Sequence, residues 1–111
     1  MALPHAQSGE LIDVRPLGST LADSRTETLV KTPTLEVIRI VLPAGKTLPP
    51  HKAPGEITVQ CLEGKVRFSV GETVREMAPG SLLFVEGRGE HAVEAVEYSS
   101  LLVTLLLPAK A

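Results

Sequence analysis

Large aromatic rings are almost missing from this chain, which has no tryptophan, one tyrosine and two phenylalanines in 111 residues. A core organised around stacked rings is thereby excluded. The work falls to Leu, Val and Ile, whose side chains suit the faces of a sheet. Cysteine is nearly absent too. The single Cys61 cannot close a disulfide within the chain, which fits a reducing compartment. No excess of one charge exists: the net charge is −2, with acids and bases dispersed. Without a basic run or basic residues interleaved with aromatics, nucleic acid is not an expected partner. The longest apolar run, Leu101 to Leu107, is too short to cross a bilayer as a helix. Met1 to Gln7 has neither the basic nor the apolar region of a secretory signal. A cytoplasmic protein with no membrane partner is the expectation. Long helices are disfavoured as well, since nine prolines and nine glycines punctuate the chain.

What remains is strand. From Glu56 to Glu63, Ile57, Val59 and Cys61 alternate with Glu56, Thr58 and Gln60, which predicts a strand with one apolar face. Lys65 to Val70 alternates likewise, Gly71-Glu72 reads as a hairpin turn, and Thr73 to Met77 returns. Pro79-Gly80 releases Ser81 to Val85, a strand expected to be buried on both faces. A glycine-rich corner, Glu86 to Glu90, precedes a strand from His91 to Tyr98 with His91, Val93 and Ala95 on one side. Ser99-Ser100 reads as a turn into the last strand, Leu101 to Leu107. Upstream, Thr34 to Leu42 and Leu29 to Lys31 complete the set. Eight or nine short strands with closely spaced turns predict an all-β, antiparallel sandwich or barrel. Residues 1–26 read as an N-terminal arm on the chain's own or a partner's barrel, with a helical turn between Pro16 and Arg25. Residues 27–111 read as the barrel itself, and the whole as one domain.

Two stretches carry a family pattern. Gly45, His51, Glu56-Ile57 and Gly64 form the first; Pro79-Gly80, the apolar run to Val85, and Glu90-His91 form the second. They resemble the two motifs of the cupin superfamily, G-x5-H-x-H-x(3,4)-E-x6-G and G-x5-P-x-G-x2-H-x3-N. The resemblance covers roughly Leu35 to Leu107. It implies a double-stranded β-helix, a jelly-roll barrel. In metal-binding cupins the two histidines and glutamate of the first motif, with the histidine of the second, hold a divalent metal. Here only His51 and His91 remain; Ala53 stands for the second histidine and Ile57 for the glutamate. Glu86, Arg88 and Ala95 replace the proline, glycine and asparagine of the second motif.

Two imidazoles in a barrel suit Fe, Mn, Zn or Ni, yet a catalytic centre normally takes three protein ligands. Candidate thirds are Glu56, if Pro54-Gly55 makes a bulge, Cys61, and His5 from the arm. Taken singly, His51 reads as a loop histidine after Pro49-Pro50 and His91 as a strand-start residue. At cupin spacing they read together as pocket residues, with Ile57, Val59 and Val93 as apolar walls. Cys61 reads as an inert core residue, and Arg88 as an exposed turn arginine rather than a carboxylate-binding group over the mouth. Thr58 and Gln60 face a subunit interface or solvent.

Two functions follow. The first is a barrel that binds a small molecule near His51 and His91, without a required metal. The alternative is a metal-dependent oxygenase, isomerase or lyase using His51, His91 and a third ligand. The resemblance also implies a homodimer, consistent with edge strands that need covering.

Overall fold

Alternation of branched apolar and polar residues produces nine strands, β1 (Glu27–Lys31), β2 (Leu35–Leu42), β3 (Thr47–Lys52), β4 (Ile57–Glu63), β5 (Val66–Val70), β6 (Thr73–Met77), β7 (Leu82–Val85), β8 (Glu90–Ala95) and β9 (Ser99–Leu106). The computed structural model describes residues 5–108; Met1–Pro4, part of the stretch read for a signal, and 109–111 lie outside it. Five strands form one sheet in the order β1-β2-β9-β4-β7, and four form a second in the order β3-β8-β5-β6. Every pairing is antiparallel. The two sheets close on each other as a jelly roll, the all-β architecture that the sequence pattern implies.

The core lies between the sheets because each strand turns its apolar alternate inward. Ile57, Val59 and Cys61 of β4, Val66 and Phe68 of β5, Val93 and Ala95 of β8, and Leu101 and Val103 of β9 are all buried. Full burial of each larger side chain contributes roughly 1.5–3 kcal/mol. The strength of the core therefore comes from many small branched groups.

Three segments depart from the sequence reading. His51 is not in a loop: Thr47–Lys52 forms β3 at the edge of the four-stranded sheet. The register breaks between Leu48 and His51, where Pro49-Pro50 cannot donate to the ladder. An edge strand with a bulge is where a sheet tolerates proline. Ser99-Ser100 is no turn but the buried start of β9. The Ser99 hydroxyl donates to Glu97 O at 2.7 Å and accepts from Lys65 N–H at 3.0 Å, which makes its burial affordable. Finally, β7 is not buried on both faces. Val85 is buried, but Leu82 and Phe84 are 68% and 59% exposed, because β7 is an edge strand with an uncovered outer face.

The segment before β1 packs on this chain's own barrel. A 3-10 turn, Gly18–Asp23, buries Leu21. The backbone N–H groups of Leu17 and Gly18 donate to the Glu63 carboxylate at 2.8 and 3.0 Å. The Arg39 guanidinium donates to Asp13 O at 2.8 Å, and Tyr98 donates its hydroxyl to Ala22 O.

Candidate functional site

Strands β3 and β8 set the site. Their antiparallel register places Leu48 opposite Val93 and His51 opposite His91. The two imidazole centroids lie 4.2 Å apart with the planes at 64°. His51 is exposed, whereas His91 is 6% exposed and stacks on the Phe68 ring at 5.9 Å and 8°. Each ring is fixed by the same local contact: His51 Nδ1 lies 3.0 Å from Pro49 O, and His91 Nδ1 lies 2.9 Å from Gly89 O. A carbonyl only accepts, so Nδ1 carries a proton in both rings, and the neutral tautomer consistent with this contact keeps its lone pair on Nε2. Among the described residues neither Nε2 has a hydrogen-bond partner.

Both rings line a cavity of about 390 Å³, as do Ile57, Val59 and Val93. The volume falls in the range of small-molecule sites. Its far wall comes from β2 and β9, through residues such as Ile38, Ile40 and Leu105. The sequence reading did not single these out, nor Phe68. The available signal was the alternation of Leu101, Val103 and Leu105 in β9. The remaining charged lining is Glu36, whose carboxylate accepts from Lys31 Nζ at 3.2 Å, and Lys52.

The donor set does not fit the divalent metal that the cupin motifs imply. Ala53 and Ile57 line the cavity where those motifs supply a histidine and a carboxylate. Glu56 is exposed just outside β4 and does not line the cavity, so no bulge turns it inward. Cys61 is fully buried elsewhere in the core, its thiol directed to Glu63 O and Gly64 O. Burial pushes that thiol's pKa up, away from the thiolate a metal or a nucleophile needs. His5 is an exposed residue of the arm. Among the described residues no three His, Cys, Asp or Glu side chains are grouped to hold a metal.

Arg88 occupies the corner between β7 and β8 and is exposed. Its backbone is left-handed, with φ 66°, and its N–H donates to Ala53 O at 3.0 Å.

These features define a class: a small jelly-roll barrel with an apolar cavity beside a cross-strand histidine pair. Comparison with known proteins agrees on the fold. Residues 38–106 match the family described as Cupin domain, and the chain belongs to the cupin superfamily. The fold is similar to that of a conserved protein of unknown function from Streptococcus pyogenes, with TM-score 0.76 and 19% identity over 99% of this chain and 97% of that one. It is also similar to an RmlC-like cupin from Desulfovibrio desulfuricans, with TM-score 0.67 and 26% identity over 92% and 97% of the two chains. A third similar structure is the DMSP lyase DddQ from Ruegeria pomeroyi, with TM-score 0.66 and 22% identity over 86% of this chain and 52% of that one. No curated protein sequence matches the chain.

Proposed function

We propose that this cupin is a binding protein that holds a small, largely apolar molecule in the barrel beside His51 and His91, without a resident metal. The observation that carries this reading is a cavity of about 390 Å³ walled by branched apolar side chains and joined by two imidazoles with free Nε2 atoms. The walls supply affinity by excluding water; the Nε2 lone pairs accept from a hydroxyl or N–H of the ligand and orient it. The metal-dependent enzyme reading is weaker because, among the described residues, no third donor is grouped with the two imidazoles. Residues 1–26 act as an arm on a barrel of residues 27–111, and the working unit is a cytoplasmic homodimer. Among the described residues no helix is long and apolar enough to cross a membrane.

Titration with the neutral dye N-phenyl-1-naphthylamine tests the reading. A saturable fluorescence rise at one dye per chain is expected, lost in Ile40→Trp, which fills the cavity from β2. No rise, or an equal rise in Ile40→Trp, would overturn it.

A further inference from the structure

The apolar cavity shares a stretch of its wall with an open cleft that carries two cations. Lys52, Ala53 and Pro54 line both the cavity and an open cleft whose other walls are Arg88 and Pro108. Among the described residues neither Lys52 nor Arg88 forms an ion pair or a side-chain hydrogen bond. Four carboxylates lie on neighbouring elements. Glu36 is already taken by Lys31; Glu56 and Glu86 lie beside the corner and are exposed, and Glu90, also exposed, sits opposite Lys52 across the β3–β8 ladder without closing an ion pair to it.

The backbone adds a second, independent observation. Arg88 holds a left-handed conformation that side chains other than glycine, asparagine and aspartate rarely adopt. Glycines stand on both sides of it, at positions 87 and 89, neither of which has a positive φ. The strained position thus carries the arginine, and the bond from its N–H to Ala53 O ties it to the cleft wall. Strain of this kind is retained where a side chain is used.

Resting on the cavity reading above, we propose that the ligand is amphipathic, an apolar body in the barrel bearing an acidic head group held between Lys52 and Arg88. The guanidinium presents a fork of donors to a carboxylate or similar anion, and the ammonium adds a compact second charge. The imidazoles contact the body where it meets the head.

Two dyes with the same anilinonaphthalene body separate the parts, namely neutral N-phenyl-1-naphthylamine and 8-anilinonaphthalene-1-sulfonate. At low salt the sulfonate is expected to bind about tenfold more tightly, an advantage reduced in 0.5 M NaCl. Arg88→Gly relieves the backbone, so it should melt no lower than the parent while losing most of that advantage. Lys52→Gln should lose part of it and the double variant all of it, while Arg88→Gly, which lies outside the cavity lining, leaves the neutral dye's affinity unchanged. Equal affinities in the parent, or a preference that survives Arg88→Gly and the double variant, would overturn the proposal while leaving the cavity reading intact. Sulfonate binding that persists in Ile40→Trp would also overturn it. Failure of the neutral dye to bind the parent sinks the cavity reading and this proposal with it.

Discussion

His51 and His91 face each other across the β3–β8 ladder, and each directs Nδ1 to the carbonyl oxygen two residues before it. The pair is thus held by backbone on both sides, with the buried ring further fixed by Phe68. Such a rigid two-point acceptor suits an organic ligand better than a metal ion, which needs a third protein donor.

Metal content tests this directly. Untagged protein, exposed to Fe, Mn, Zn and Ni and then desalted, is expected to retain well under one metal per chain. Ala53→His with Ile57→Glu, which restores the two missing donor types on the cavity wall, should raise retention towards one per chain. Stoichiometric metal in the unaltered protein that vanishes in His51→Ala would overturn the reading.

Gly64, between β4 and β5, is a second sensitive point. Its φ is +84°, and a Cβ there would collide with Ser99 Oγ and Tyr98 O. Both the left-handed backbone and the packed β9 start oppose a side chain. Gly64→Ala is expected to destabilise the fold by about 2–4 kcal/mol in urea unfolding. A loss below about 0.5 kcal/mol would contradict this account of the β4–β5 corner.

Glu63 ties the arm to the barrel and predicts an acid response. Desolvation raises its pKa, but the Ser100 hydroxyl, the Leu17 and Gly18 N–H groups and the nearby Arg39 charge outweigh it, so the folded value lies below 4.5. A depressed folded pKa means that the contribution is complete above about pH 4.5 and is lost as pH falls through the lower folded value. Amide exchange at Leu17 and Gly18 should therefore accelerate in that acidic window, and Glu63→Gln should flatten the dependence. An unchanged profile in the variant would refute the link.

The proposed homodimer has a natural surface on the outer face of the five-stranded sheet. Leu82 and Phe84 of β7 are exposed, and the ladder sets Gln60 and Leu102 beside the first, Thr58 and Thr104 beside the second. An apolar, nearly uncharged patch can meet its own copy about a twofold axis without like-charge repulsion. Light scattering is expected to give about twice the chain mass of 11.8 kDa, falling to the monomer in Leu82→Lys with Phe84→Lys. A monomer from the unaltered chain would contradict it.

Strand β4 was legible in the sequence because Ile57, Val59 and Cys61 alternate with polar residues. By contrast, β3 was hidden by its own prolines, which usually interrupt a ladder and here occupy a bulge at a sheet edge. Ser99-Ser100 looked like a turn because polarity is local information, whereas Lys65 and Glu63, two of the partners that permit its burial, sit 34 and 37 residues away. In β2, apolar residues occur on both faces, so periodicity could not tell that Ile38 and Ile40 reach the cavity. The meeting of positions 51 and 91 is a matter of cross-strand register. Motif spacing hinted at it, and no property of either histidine alone did.

Pro49 and Pro50 have a consequence beyond local geometry. A free sheet margin normally invites a foreign strand to zip alongside, but a margin interrupted by two imino acids offers too few donors for that attachment. The β3 rim of the barrel is therefore a poor template for a strand from another molecule.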